Sequence, residues 1–379
     1  MARTRWYHAT CPAGLEPVLL AEVQAAGGED TRVDRGGVAF RGTAKVGYAL
    51  ALWSRVGMRV LEELERGKIT KADDVYAVAQ RVPWQKYLRP GQTFAVSASA
   101  SSALVKHPHY VALKVKDALV DQLRDDTGAR PDVDTESPDL PLRLYVRDRV
   151  ATLSRDLAGT PLHKRGYRTD AQHRSPLNEA IAAGLLQLTS WDRRTPLCDP
   201  MCGSGTLLVE AAFLAGDRAP GLHREMAFER WADRDRAAWD ALRADAEARW
   251  AAGKANIPAL FGNDVHPGAV ALAKKSLGRA QVDGYVSLTQ SDIAEYTPPT
   301  PPGVVVVNPP WGERLDDDGL DATWRALGAF LHDRCKGATA WVLTGNREVT
   351  KHLHLKASSK TPVFNGPLEC RWLEYAIRG

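Results

Sequence analysis

The sequence predicts two architectures in series: mixed α+β modules over roughly the first 170 residues, then an α/β unit built on a parallel sheet. Three observations lead there. From Pro196 onward, strand, glycine turn, helix and strand alternate: Leu197 leads to Asp199 and the Gly203/Gly205 loop, Ala259 to Phe261 leads to Asn263-Asp264, and Val304 to Val307 leads to Asn308. That order belongs to βαβ units. The unbroken run Val304-Val305-Val306-Val307 suits a strand buried on both faces. Ahead of Asp170, short β-rich runs and short amphipathic helices follow in mixed order, which favours α+β modules over one doubly wound sheet.

Taken in order, Leu15, Val18, Leu19 and Val23 recur at helical spacing, and Gly27-Gly28 stops that helix. Val33 to Phe40 reads as strand, turn and strand around Gly36-Gly37. Thr93 to Ala98 alternates like a half-buried strand, and Val111, Val115, Ala118, Leu119 and Leu123 share one helix face. Leu142 to Leu153 gives two strands around Arg147-Asp148-Arg149. Thr160 to Arg174 is polar and basic, a connector. Ser175-Pro176 reads as an N-cap and first helical proline, followed by an apolar face of Ile181, Leu185, Leu186 and Leu188. Leu207 to Leu214 is a helix. Residues 215–256 interrupt the α/β pattern as a helical insertion, with Trp239, Leu242, Ala246 and Trp250 forming a stripe whose tryptophans are core. Asp316-Asp317-Asp318 reads as a solvated loop. Ala340 to Leu343 and Trp372 to Ile377 are later strands.

Composition narrows the class. At 379 residues, 44% hydrophobic and 25% charged, the chain can bury real cores and lacks the signature of disorder. No apolar run approaches the roughly 18 residues that span a bilayer. Met1 to Leu20 carries His8, Pro12 and Glu16 where a leader needs an apolar core, so the expected location is cytoplasmic. Five cysteines without paired spacing argue against a disulfide framework, and Cys198 and Cys202 lack the partners of a metal site. The net charge is +4, but residues 1–170 hold 26 Lys plus Arg against 21 Asp plus Glu, so the positive excess lies in front. A basic front end joined to a near-neutral second half fits substrate binding followed by catalysis.

The loop Asp199-Pro200-Met201-Cys202-Gly203-Ser204-Gly205-Thr206 precedes a helix. Glycines there admit a ligand close to the backbone, and the helix N-terminus offers free N–H groups. A phosphate-binding P-loop needs Gly-Lys-Ser/Thr, which is missing. A dinucleotide loop needs a third glycine where Leu208 stands. S-adenosylmethionine, which has no phosphates, fits better. Asp199 could hold its ammonium group, Asp264 its ribose hydroxyls and Asp292 its adenine amine.

Asn308-Pro309-Pro310-Trp311 follows the four valines. An exocyclic base amine is a poor nucleophile because its lone pair is delocalised. Two acceptors aimed at its N–H groups, the Asn308 side-chain carbonyl and the Pro309 backbone carbonyl, would stabilise developing positive charge. The prolines stiffen the loop. The Trp311 ring can stack on an extruded base. No metal or covalent nucleophile is needed. Glu313 and Arg314 could orient the loop or the base, or stand as surface charges or an ion pair.

The run Asp199 to Ala212 together with Asn308 to Leu315 resembles the THUMP-domain Rossmann-fold RNA methyltransferases, and more narrowly the RlmL-type enzymes of large-subunit ribosomal RNA. Ala9 to Pro17 and Arg35 to Val38 are similar to that family's ferredoxin-like module. Lys114 to Ala118 lies in a THUMP-like stretch, and His163 to Arg168, Ala219-Pro220-Gly221, Phe228 to Trp231 and Gly366 to Arg371 also match. The family usually carries tyrosine or phenylalanine where Trp311 stands. The resemblance implies a ferredoxin-like domain at 1–65, a THUMP domain at 66–160 and a class I methyltransferase domain at 161–379 with the insertion inside it. It implies S-adenosylmethionine on Asp199, Gly203, Gly205, Asp264 and Asp292. The target base would meet Asn308, Pro309, Pro310 and Trp311, and RNA would meet Lys106, His107, His109, Lys114 and Lys116. The implied activity is methylation of guanine N2 in 23S rRNA, in free RNA or a large-subunit precursor, by a monomer. The second methyltransferase domain of some relatives is not expected. Methylation of tRNA guanine N2, of adenine N6 or glutamine, and a non-catalytic role in ribosome assembly stay open as alternatives.

Overall fold

The computed structural model describes residues 3–168, 177–311 and 317–378. The chain divides into two compact units. The first holds Met1–Thr10, Leu19–Leu162 and His223–Arg243, and the second holds Cys11–Val18, His163–Leu222 and Ala244–Gly379.

From the N-terminus the elements run β1 (Arg5–Thr10), α1 (Glu16–Ala25), β2 (Glu29–Asp34), β3 (Gly37–Gly42), α2 (Ala44–Trp53), β4 (Arg59–Lys68), α3 (Asp74–Gln80), β5 (Thr93–Ser101), α4 (Pro108–Thr127), β6 (Asp132–Val133), β7 (Leu140–Arg147) and β8 (Val150–Asp156). The strands form one eight-stranded sheet in the order β2-β3-β1-β4-β8-β7-β5-β6. The two expected front modules thus share one sheet. β4 pairs with β1 on one side and β8 on the other, and the expected division after residue 65 falls inside it. Shared pairing removes two sheet edges that separate modules would expose. The buried stripe of α4, with Val111, Val115, Ala118, Leu119 and Leu123, is the one its periodicity predicts.

Part of the insertion belongs to this first unit. Phe228 stacks on Tyr48 at 4.0 Å and meets Trp239 edge-on at 4.9 Å, so Trp239 is core, as its spacing suggests.

The remaining elements are α5 (Glu179–Gln187), β9 (Leu197–Asp199), α6 (Thr206–Ala215), α7 (Arg236–Gly253), β10 (Leu260–Asp264), α8 (Pro267–Ala280), β11 (Val286–Gln290), β12 (Val304–Val307), α9 (Asp317–Arg334), β13 (Thr339–Thr344), β14 (Ser359–Asn365) and β15 (Leu368–Ala376). Their sheet runs β11-β10-β9-β12-β13-β15-β14. It is parallel from β11 to β13, and β15 is antiparallel to both its neighbours. All four valines of β12 are buried, as a central parallel strand requires. This is a Rossmann-like α/β fold. The chain steps outward from β9 to β11, then returns to β12 on β9's other side. That reversal opens a crevice at the carboxyl ends of β9 and β12.

Two local expectations change. Ser175 and Pro176 lie outside the described residues, and α5 is capped by Asn178, whose Oδ1 accepts from the Ala180 and Ile181 backbone N–H groups at 2.9 and 3.4 Å. Asp317 opens α9 instead of extending a loop.

Candidate active site

The crevice holds a cavity of about 620 Å³. Asp199, Gly203, Asp264, Asp292, Asn308 and Pro310, all singled out in the sequence, line it together. They come from the ends of four parallel strands, β9, β10, β11 and β12, or the turns after them, so the switch in strand order converges residues more than 100 positions apart. Gly205, Pro309 and Trp311 are not among the residues that line it.

The glycine loop is held by its backbone. Gly203 and Gly205 have φ of +54° and +75°, in the left-handed region that glycine occupies without strain. Gly205 is also the N-cap of α6, and a Cβ there would sit 3.2 Å from Ala273 Cβ. A Cβ on Gly203 would meet nothing within 4 Å, so its conformation sets that requirement. The Cys202 N–H donates to the Asn263 carbonyl at 2.8 Å, and the Gly203 N–H donates to Asp264 Oδ2 at 2.9 Å. Asp264 Oδ1 accepts from the His266 N–H at 2.9 Å, so this carboxylate joins two loops.

Asn263 is a positioning residue that sequence reasoning passed over. It is 1% exposed, donates from Nδ2 to the Pro200 and Ser291 carbonyls, and accepts at Oδ1 from the Ser291 N–H and Oγ. It ties the turns after β9 and β11. Only its place beside Asp264 at a strand end hinted at this. Asp292 Oδ1 accepts from the Ala294 N–H at 2.9 Å, closing its own turn.

Asp199 is 2% exposed, and its Oδ1 accepts from the Met201 N–H at 3.3 Å. Burial, reinforced by the Asp264 charge, pushes its carboxyl well above the ordinary carboxylate range. A buried acid so short of compensation is fitted to a cation. Cys198 and Cys202 are buried thiols, pushed well above their usual range by burial, so neither is poised as a nucleophile.

The loop after β12 shows one arrangement the sequence did not reveal. The Trp311 Nε1–H donates to Asn308 Oδ1 at 3.0 Å. Its indole packs on Gly345, where an added Cβ would lie 2.4 Å from the ring. Trp311, the ring expected to stack on an extruded base, is packed against Gly345 and holds the Asn308 amide. The buried Trp324 donates from Nε1 to the Pro310 carbonyl at 2.8 Å. The Pro309 carbonyl accepts no hydrogen bond among the described residues. Gly312, Glu313, Arg314 and Asp316 lie outside the described residues.

The expected RNA contacts sit on or just before α4. Lys106, His107 and His109 are exposed. Lys114 is engaged, 3.4 Å from Asp73 and over the Tyr110 ring at 5.2 Å, and Lys116 is half-buried.

Fold and crevice define a Rossmann-like α/β unit with a ligand-sized cavity at its switch point, together with an α+β front end. Three family models match in series: an RlmL ferredoxin-like domain over residues 7–61, a THUMP domain over 70–156 and an RMKL-like methyltransferase domain over 165–374. The chain belongs to this RMKL-like methyltransferase family. It is 39% identical, over all of its length, to ribosomal RNA large subunit methyltransferase K/L of Methylococcus capsulatus, of which it covers 52%. The chain therefore spans about half the length of such curated relatives. A Synechocystis protein named as an RNA methyltransferase is 35% identical, with 99% of this chain and 98% of that one covered. Among solved structures, SMU.472, a methyltransferase complexed with SAH, superposes with a TM-score of 0.88 at 27% identity over all of both chains.

Proposed function

We propose that the chain is a cytoplasmic, S-adenosylmethionine-dependent RNA methyltransferase that acts on the exocyclic N2 amine of a guanine in 23S rRNA or a large-subunit precursor. The observation that carries this is the cavity itself: three strand-end acids and the Gly203 turn face it together with Asn308. The names of the K/L relatives and the complex of SMU.472 with SAH support the same reading.

The donor set fits the cofactor. Asp199 would pair with its ammonium group, Asp264 with its ribose and Asp292 with its adenine amine, while the Gly203 turn leaves room for close approach. Bound there, S-adenosylmethionine supplies an electrophilic methyl group on sulfur. The protein's part is orientation and charge. Asn308 Oδ1 keeps one lone pair beyond the Trp311 bond, and it and the Pro309 carbonyl would accept the two amine N–H groups. They hold the nitrogen lone pair toward the methyl carbon and stabilise its developing positive charge. The surplus amine proton passes to water.

Asn308→Ala is expected to lower methyl transfer to an rRNA fragment by about 10²–10³-fold, the usual loss for one preorganised polar group. S-adenosylhomocysteine affinity, measured by titration calorimetry, should stay within about twofold. Retained turnover would remove Asn308 from the reaction, and a folded wild-type protein that binds no cofactor would favour the assembly-factor alternative.

A further inference from the structure

The eight-stranded sheet has one face packed by helices. Tyr7 contacts α2 there, and Gly67 lies against α3, where an added Cβ would come 2.7 Å from Val78 and 2.5 Å from Arg81. The opposite face carries a different population. Register places Ser99, Tyr145, Thr152 and Arg66 side by side across β5, β7, β8 and β4, and Ser101, Arg147, Val150 and Lys68 in the next row. Tyr145 is 43% exposed, an unusual site for a large ring at the middle of a sheet. Its direct neighbours, Ser99 and Thr152, are too short to cover it.

The cations reach this face because β4 is irregular. Its register slips between Glu63 and Glu65. Strict alternation from Glu62, which faces the buried Arg155, would turn Arg66 and Lys68 inward with it. The bulge reverses the parity, sends Gly67 inward to the tight contact with α3, and turns Arg66 and Lys68 outward. Both are exposed and form no ion pair among the described residues. Arg147 pairs with Asp34 across the surface, an exposed contact that a phosphate can replace at little cost. In the row beyond, Arg143 lies opposite Ser154, which faces Glu63, and its guanidinium is engaged 3.6 Å from Asp156, so the positive charge left unpaired among the described residues of these rows is on Arg66 and Lys68.

We propose that this face is a platform for an unpaired RNA segment: Tyr145 stacks on a base while Arg66, Lys68 and Arg147 meet the flanking phosphates. An exposed aromatic on an open sheet, ringed by small polar residues and positive charge, is suited to sequence-tolerant stacking. The helix α4 cations project from the other side of the sheet and are a separate surface. The proposal rests on RNA being the substrate.

The test uses the full chain and a fluorescein-labelled 12-nucleotide oligoadenylate, read by anisotropy across a salt series. Tyr145→Ala should weaken binding at least about fivefold and Tyr145→Phe by less than about twofold, since phenylalanine keeps the π-face. Arg66→Glu/Lys68→Glu should reduce the salt slope by about 1.4, two phosphate contacts on a single strand. Wild-type affinity in both Tyr145→Ala and the double variant overturns the platform, as does loss confined to Lys106→Glu/Lys116→Glu. A wild-type chain that binds neither this oligomer nor a folded rRNA fragment overturns the RNA reading itself, and the platform with it.

Discussion

In the proposed site, Asp199 would serve the ligand at the expense of the ligand-free fold. Burial raises its folded-state value above the unfolded one. Such an acid stabilises the ligand-free protein fully below the unfolded carboxylate range and loses that contribution as pH rises through the folded value. Asp199→Asn should therefore leave ligand-free thermal stability at neutral pH unchanged or higher, with a flatter pH dependence above pH 4. It should weaken S-adenosylmethionine binding at least about tenfold, the loss of one charge-assisted bond. Thermal unfolding across pH and calorimetry read both. Trp311 acts on another residue. Trp311→Phe keeps an aromatic ring and removes the N–H that holds Asn308. We expect kcat to fall about three- to tenfold with cofactor affinity intact, which matches the worth of one neutral hydrogen bond. Asn308, Trp311 and the three acids were legible as residue types at strand ends. The Trp311 to Asn308 bond was not, because spacing says nothing about where an indole N–H points.

At the scale of elements, the turn from β9 into α6 combines two demands that meet only at Gly205: a left-handed backbone and close approach to α8 through Ala273. Gly205→Ala should cost about 1–2 kcal/mol from conformation alone, seen as a lower denaturation midpoint of the second unit, and should also weaken cofactor binding. The glycine turn was clear in the sequence because glycine is required there by backbone sterics. Other elements were less clear. The α5 cap was expected at Ser175-Pro176, yet Asn178 makes the bonds. Several cap-forming residues stood within a few positions, and only the helix phase separates them. The β4 bulge is similarly invisible in composition. Its effect on Arg66 and Lys68 depends on the partner strand β8.

Over the whole molecule, buried charge holds the first unit together. Arg155 is 2% exposed on its side chain, bonds Glu62 and Asp233 at 2.8–3.2 Å and lies 3.9 Å over the Trp231 ring. Burial works against its charge, but Asp233 and Glu62 outweigh burial and hold the guanidinium above its ordinary range. Arg155→Ala would leave Glu62 buried without this partner, and should destabilise the unit by about 3–5 kcal/mol in urea unfolding. Strand β8 is thereby linked to β4 across 93 positions of sequence and to the insertion across 78. By itself the sequence determined the α/β class, the order of its α+β and α/β parts, the glycine turn and the proline-stiffened Asn308 loop, because those follow from local periodicity and from residue types whose backbone demands are short-ranged. Only the tertiary structure decided that the two front modules share one sheet, that residues 223–243 pack with them, that Asn263 ties two loops and that Arg66 and Lys68 face outward. Each of these depends on which distant strand or ring becomes a neighbour, and long-range pairing is set by the burial of the whole core instead of by any short stretch of chain.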